Sequence, residues 1–400
     1  MLQGKTIILG VSGGIAVYKA VELLRLLTKD GAEVHVVMTR SAQEFVTPLT
    51  FQTLSGNPVH TDLFNLYQEQ EIDHISLADR ADLFILAPAT ANLVGKIAQG
   101  LADDLLTTSV MATKAPVLVV PAMNSNMYEN PLYQRNEKLL RDYGYHIMEP
   151  DHGLLACGWE GKGKLPPPER IFAAAKAVLS PKDLLGCRLL VTAGPTREEL
   201  DPVRFLSNYS SGKMGYAVAA AAARRGASVT LVSGPTALQV PESVKCIPVN
   251  SAEEMRDAVL EQAAKAEVVI KAAAVADYRP VRRAEQKLKK VGDELILELE
   301  KNPDILAELG AAKGELILVG FAAETERLLA HAAEKLKQKN LDMIVANDVT
   351  RDGAGFDVDT NIVRFLHADG RVEELDLMSK EQVAELLLDR VVPLWLAKRQ

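Results

Sequence analysis

Residues 188–235 read RLLVTAGPTREELDPVRFLSNYSSGKMGYAVAAAAARRGASVTLVSGP. An apolar run, Leu189–Ala193, stops at Gly194-Pro195-Thr196. An Ala-rich helical stretch, Lys213–Arg225, follows, and then a second apolar run, Ser228–Val232. This is a strand–helix–strand pattern, the unit of a parallel sheet. Its first connection, Gly194–Gly212, is polar and roughly 20 residues long, which compact domains reserve for function. Where it meets the helix it is rich in Gly and Ser, so backbone N–H groups can face an anion. The stretch lies mid-chain and predicts the start of a second domain.

The chain opens in the same way. Thr6–Val11 is an apolar strand, Ser12-Gly13-Gly14 a turn, Ile15–Thr28 a helix and Glu33–Met38 a second strand. Further strands are expected at Asp82–Ala87 and Pro116–Val120, then near 229–233, 244–248, 267–272, 315–320 and 342–346. Helices are expected near Glu169–Leu179, 251–265, 303–311 and 324–339, with a last one from Ser379. A hairpin is expected at Ile362–Leu366 and Arg371–Leu375. Alternating strands and helices imply an α/β protein, two Rossmann-like domains with mostly parallel sheets. The run Leu165-Pro166-Pro167-Pro168 breaks the pattern. The boundary is drawn so that residues 1–182 form one domain and 183–400 the other.

Bulk composition narrows the classes. The chain has 400 residues, 48% apolar and 24% charged, enough for two cores. A formal net charge of −8 argues against a nucleic-acid or anionic-membrane binder. The three cysteines form no CxxC pair, which suggests a reducing compartment. Met1–Gly14 reads as a strand start rather than a signal peptide, and no apolar run is long enough to span a membrane. A cytoplasmic protein is expected.

The segment Ser12-Gly13-Gly14-Ile15-Ala16 joins a strand to a helix N-terminus, where a phosphate binds well. A dinucleotide fold would place an acidic residue at the end of the second strand for the ribose. This chain has Thr39-Arg40, which suits a phosphate, so FMN is preferred to NAD. Pro88-Ala89-Thr90-Ala91-Asn92 follows another strand at its carboxyl end, and its small residues allow a flat ring to approach; Thr90 also suits a helix cap.

Specific motifs extend this reading. Pro88–Asn92, Pro121-Ala122-Met123-Asn124-Ser125-Asn126-Met127-Tyr128, His74 and Cys157 together resemble the flavin-dependent cysteine decarboxylases. Ala193-Gly194-Pro195-Thr196, Ser207–Gly215, Ala272–Pro280 and Lys287-Leu288-Lys289-Lys290 resemble phosphopantothenate–cysteine ligase. In this order they are similar to the bacterial bifunctional coenzyme A biosynthesis family over essentially the whole chain. The resemblance implies a flavodoxin-like flavoprotein domain followed by a nucleotide-binding ligase domain.

For the first half it implies decarboxylation of 4'-phosphopantothenoylcysteine to 4'-phosphopantetheine. FMN oxidises the thiol end, CO2 leaves, and the resulting enethiolate is reduced and protonated. His74 would act near the substrate carboxylate or thiol. Asn124 would hold the carboxylate, and Cys157 would protonate the enethiolate. FMN contacts would come from Ser12, Gly13, Gly14, Ile15, Ala16, Thr39, Ala89, Thr90, Asn92 and Met123. In this family the flavin lies between subunits, so a homo-oligomer is implied. Cys187 and Cys246 read as small hydrophobes.

For the second half the resemblance implies that CTP activates 4'-phosphopantothenate as an acyl-cytidylate, releasing pyrophosphate, and that cysteine then displaces CMP. Lys287 would stabilise the first step by closing over the triphosphate, and Asn208 would serve the cysteine step. CTP contacts would come from Ala272, Ala273, Asp277, Lys287, Pro303, Asp304, Ile305, Leu306, Phe321, Lys335 and Lys339. Mg2+ is expected with the triphosphate, although no metal cage or zinc spacing is visible. The small-molecule partners are therefore 4'-phosphopantothenate, cysteine and CTP. The alternative is a non-catalytic flavin-binding regulatory protein on the same fold.

Overall fold

The computed structural model describes residues 2–64, 73–289, 295–324, 328–348, 355 and 358–399. The chain divides into two compact units, Met1–Ser180 and Pro181–Gln400.

In the first unit, β1 (Thr6–Val11), β2 (Glu33–Met38), β3 (Val59–His60), β4 (Leu83–Ala89), β5 (Val117–Pro121) and β6 (His146–Ile147) form one sheet. Its order is β3-β2-β1-β4-β5-β6, and the pairings are parallel. Both faces are covered, and the alternation of the strands shows it. Ile7, Leu9 and Val11 pack in one core with Val36, Ile85 and Val120. Ile8 packs in the other with Val37, Phe84 and Val119. Each such fully buried aliphatic side chain contributes about 1.5–3 kcal/mol relative to exposure. The helix Val17–Lys29 lays Val17, Ala20, Leu23, Leu24 and Leu27 on the first core, a three- and four-residue spacing that makes one stripe. An antiparallel hairpin, β7 (Asp151–Leu154) and β8 (Glu160–Lys164), stands apart from this sheet.

In the second unit, β9 (Arg188–Ala193) is followed by a small antiparallel hairpin, β10 (Arg197–Glu199) and β11 (Phe205–Ser207), so the long polar connection is structured. The helix Lys213–Arg224 leads to β12 (Ser228–Ser233), β13 (Val244–Pro248) and β14 (Val268–Lys271). The pair β15 (Tyr278–Pro280) and β16 (Leu299–Lys301) lies to one side. Next come β17 (Ile317–Glu324), β18 (Met343–Asp348), β19 (Thr360–Asn361), β20 (Val363–His367), β21 (Val372–Glu374) and β22 (Met378–Ser379). The main sheet runs β13-β12-β9-β14-β17-β18-β20-β21, parallel except where β18, β20 and β21 meet. The last helix, Lys380–Ala397, starts at a capping box between Ser379 and Gln382.

In both sheets the first strand lies beside a strand reached by crossing over, β1 beside β4 and β9 beside β14. Open α/β sheets bind ligands at such switch points, beyond the carboxyl ends of the strands. Both candidate sites lie there.

Candidate functional site

In the first unit the loops after β1 and β4 are stitched together by Ser12. Its buried hydroxyl donates to the Pro88 carbonyl at 2.7 Å and accepts the Thr90 amide at 2.9 Å. Thr90 in turn caps the helix Ala91–Ala98, its hydroxyl accepting the Leu93 amide. A Cβ on Gly13 would come within 2.4 Å of the Ser41 Cβ and 2.7 Å of its carbonyl, so glycine lets the turn after β1 approach the segment after β2. The Thr39 hydroxyl is buried with no hydrogen-bond partner among the described residues. Together these features fit a ligand with a phosphate and a flat ring.

The cleft above them has a volume of about 670 Å³. Gly13–Ala16, Thr90 and Ala122–Asn124 form its floor, and Leu154–Cys157, with Lys164 and Leu165, forms a flap. The flap tip is a tight turn, with the Gly158 amide donating to the Leu155 carbonyl at 2.9 Å and Gly158 at φ +83°. Two glycines seat its returning strand. A Cβ on Gly163 would meet the Met123 carbonyl at 2.2 Å, and one on Gly161 the Ser125 Cβ at 2.8 Å. This places the exposed Cys157 thiol 3.1 Å from the Asn124 amide nitrogen. Asn124 also caps the short helix Ser125–Tyr128, its side-chain oxygen accepting the Asn126 amide at 2.9 Å. Hydrogen bonds from the Trp159 backbone and from Asn124 favour the thiolate and hold the Cys157 thiol below its ordinary value. Burial, then the neighbouring Lys164, lowers the Lys19 ammonium, which donates to the Leu165 carbonyl at 2.8 Å.

In the second unit the loops after β9 and β14 continue the sheet. The Ala272 and Ala274 amides donate to the Thr192 and Gly194 carbonyls at 3.3 and 3.0 Å. The buried Thr192 and Thr196 hydroxyls accept the Ala273 and Ala276 amides at 3.1 and 3.0 Å. Asn208 reaches across, donating to the Val275 carbonyl at 3.1 Å. The helix start at Gly215 lies directly on β9, since a Cβ there would meet the Thr192 carbonyl at 2.8 Å. The pocket so formed has a volume of about 460 Å³. Asn208–Gly215 and Ala272–Val275 line one side. Phe321, Leu306, Lys271, Lys335 and Lys339 are also in its wall. Asp304 caps the helix Ile305–Ala311 and pairs with Lys339 at 2.8 Å. Burial opposes its charge, but Lys339 and the Ala307 amide prevail and hold its carboxyl below the ordinary value. Burial and the nearby Lys339 pull the Lys271 ammonium down to about 8.

The Flavoprotein family model matches residues 1–180, and the DNA/pantothenate metabolism flavoprotein C-terminal domain model matches 184–394. The chain is 50% identical to the Coenzyme A biosynthesis bifunctional protein CoaBC of Bacillus subtilis (strain 168), over 98% of each chain. It is 49% identical to that of Escherichia coli (strain K12), over 98% of this chain and 97% of the relative. A crystal structure of the C-terminal domain of a CoaBC protein shares 46% identity, covering 53% of this chain and 97% of that one, with a TM-score of 0.47. The chain belongs to the bifunctional coenzyme A biosynthesis family. It is an enzyme with a flavoprotein decarboxylase half and a ligase half, and the non-catalytic alternative is not favoured.

Against this family background the expected residues fall into two groups. Gly13, Gly14, Ile15, Ala16, Thr90, Met123, Asn124 and Cys157 all line the first cleft. Ser12 and Ala89 lie buried behind its floor, Asn92 is exposed, and Thr39 and His74 are outside the lining. His74 sits on the helix Asp73–Arg80, with its Nδ1 buried and unpartnered among the described residues. Asn208, Ala272, Ala273, Asp277, Leu306, Phe321, Lys335 and Lys339 line the second pocket, whereas Pro303, Asp304 and Ile305 are outside its lining. Lys287 is exposed and outside the lining. Its neighbour Leu288 is held by Asp201, whose carboxylate accepts the Leu288 amide at 3.1 Å, and by Arg204, which donates to the Leu288 carbonyl at 2.8 Å. Lys290 lies outside the described residues.

Sequence reading missed the flap's Lys164 and Leu154–Ala156, Lys19 on the first helix, and Lys271 at the end of β14. The one available signal was an ionisable residue closing an otherwise apolar strand, Val268–Ile270. Among the described residues no cluster of three or more His, Cys, Asp or Glu side chains could hold a metal ion, and no helix is long and apolar enough to cross a membrane.

Proposed function

We propose that the first unit decarboxylates 4'-phosphopantothenoylcysteine with FMN, and that the second makes that substrate from 4'-phosphopantothenate, cysteine and CTP. The contact between Cys157 and Asn124, 3.1 Å apart at the mouth of a largely apolar cleft, carries the reading. The FMN phosphate is assigned to the amides of Gly13–Ala16 and to the unsatisfied Thr39 hydroxyl, with the ring against Thr90 and Met123. Bound FMN supplies the two-electron oxidation and reduction of the substrate's thiol end. The chain's own residues do the rest. Asn124 turns its amide donors to the substrate carboxylate, the flap excludes water, and Cys157 delivers a proton to the carbon that has lost CO2. A thiol already biased toward thiolate gives up that proton more readily than a free one.

His74 is assigned to the same reaction but in the cleft of a second copy. Support comes from its position outside its own cleft and its unsatisfied Nδ1. Mixing His74→Asn chains with Cys157→Ser chains should then restore decarboxylation that neither has alone, and a mixture as inactive as its components would refute the shared site.

In the second unit the nucleotide is assigned to Ala272, Ala273, Asp277, Phe321, Lys335 and Lys339, with Mg2+ carried in by the triphosphate. Lys287 is assigned to the triphosphate, beside Leu288, which Asp201 and Arg204 hold. Asn208 orients the activated carbonyl for attack by cysteine. The cytoplasm is the assigned compartment, in keeping with three free cysteines.

The decisive experiment supplies purified protein with 4'-phosphopantothenate, CTP, Mg2+ and cysteine. Yellow protein, pyrophosphate release, and then CO2 with 4'-phosphopantetheine are expected. Release of neither pyrophosphate nor CO2 would end the reading.

A further inference from the structure

The lysines of the second pocket are not equivalent. Lys339 is paired with Asp304 at 2.8 Å and Lys213 with Asp359 at 2.7 Å. Lys380 donates to the Gly355 and Val358 carbonyls, and Lys335 is engaged as well. Lys271 alone of these makes no hydrogen bond or ion pair with any described residue, although it lines the pocket. It is the last residue of β14, at the switch point where β9 and β14 part. The charged groups facing it are Lys339 and Lys335, Asp304 on the cap of the helix Ile305–Ala311, and Asp277 on the loop beyond. Of the two carboxylates, Asp304 is taken by Lys339, and Asp277 is exposed. A cation in that position has a vacancy for an anion, and the groups around it are those assigned to the nucleotide.

We propose that Lys271 is a further nucleotide-binding residue of the ligase, which contacts the phosphates of the triphosphate. This rests on the ligase reading above. Without ligand, burial and the neighbouring lysines leave its ammonium near 8. The triphosphate reverses the local field, so the amine holds its proton more tightly in the complex than in the free protein. Nucleotide binding therefore takes up a proton from solution above about pH 8 and weakens as the pH rises through that range. A residue that only filled space would not couple nucleotide affinity to pH.

Calorimetric titration of CTP and of CMP, each at about pH 8.5 in two buffers of different ionisation enthalpy, tests this. The parent protein should take up a proton with CTP. Lys271→Met should lose that uptake and bind CTP roughly tenfold more weakly, with a smaller loss for CMP. Lys271→Arg, which stays charged at this pH, should keep most of the affinity and show no uptake. If Lys271→Met bound CTP with parental affinity and parental proton uptake, or lost CTP and CMP equally, the inference would be overturned. A parent protein that bound no CTP at all would instead bring down the ligase reading, and the inference with it.

Discussion

The two sites use the same topological position for opposite chemistry. At the β1/β4 switch the cleft is floored by Gly, Ala, Met and Thr and roofed by a hairpin that carries a thiol. At the β9/β14 switch the pocket wall carries Lys271, Lys335 and Lys339 and a helix N-terminus. The first surface suits a cofactor that brings its own reactivity and asks the protein for shape and one proton. The second suits a reaction whose difficulty is negative charge, which the protein must meet with cations. The sheet supplies a place, and the loops decide the chemistry.

Substitutions that touch one site and spare the other sharpen this contrast. The largest effect is expected from Cys157→Ser. It should slow 4'-phosphopantetheine formation by about 10³-fold, the range for losing a positioned acid, with pyrophosphate release from CTP unchanged. Normal pantetheine phosphate production would remove the thiol from the mechanism. Lys287→Gln should cut pyrophosphate release by about 10²-fold and leave decarboxylation of supplied 4'-phosphopantothenoylcysteine intact. An unchanged rate would show that Lys287 takes no part in activation.

A subtler change is expected from Asn124→Ala. The folded Cys157 thiol lies below its ordinary value partly because Asn124 donates to it. Removing that donor moves its titration to higher pH. Alkylation of Cys157 by iodoacetamide should then set in at higher pH than in the parent, and coincident profiles would break the Asn124–Cys157 coupling. The smallest effect should follow Thr192→Val, which leaves the Ala273 amide without its side-chain acceptor. A loss of about 1 kcal/mol is expected from chemical denaturation. It should appear in the transition of the second unit, and an unchanged transition there would show that the bond to the Ala273 amide contributes nothing to stability.

The regular core of both units could be read from local pattern. β1, β2 and β9 lie where apolar runs place them, because parallel strands buried on both faces are written as near-continuous apolar runs. The hairpins β7–β8, β10–β11 and β15–β16 could not. Glu160–Lys164 reads EGKGK and has no alternation, because its strand is set by glycines that pack on Met123 and Ser125. The sites were legible to the extent that motif and geometry coincide. Asn124, Cys157 and Asn208 are motif residues that also line cavities. Lys271 belongs to no motif, and only the three-dimensional approach of Lys335, on the helix Leu328–Gln338, and of Lys339, just past its end, gives it meaning.

The Asp201 clasp has a bearing on how this enzyme meets acid. Its carboxylate accepts from the Val203, Arg204 and Leu288 amides and from the Arg204 guanidinium at 2.6 and 2.9 Å. Arg204 foremost holds it well below the ordinary carboxylate range. A carboxyl lowered on folding stabilises fully above its unfolded value and loses that contribution only as the pH falls through the lower, folded one. On acidification this carboxylate gives up its charge late, so its hold on the Leu288 amide persists to low pH.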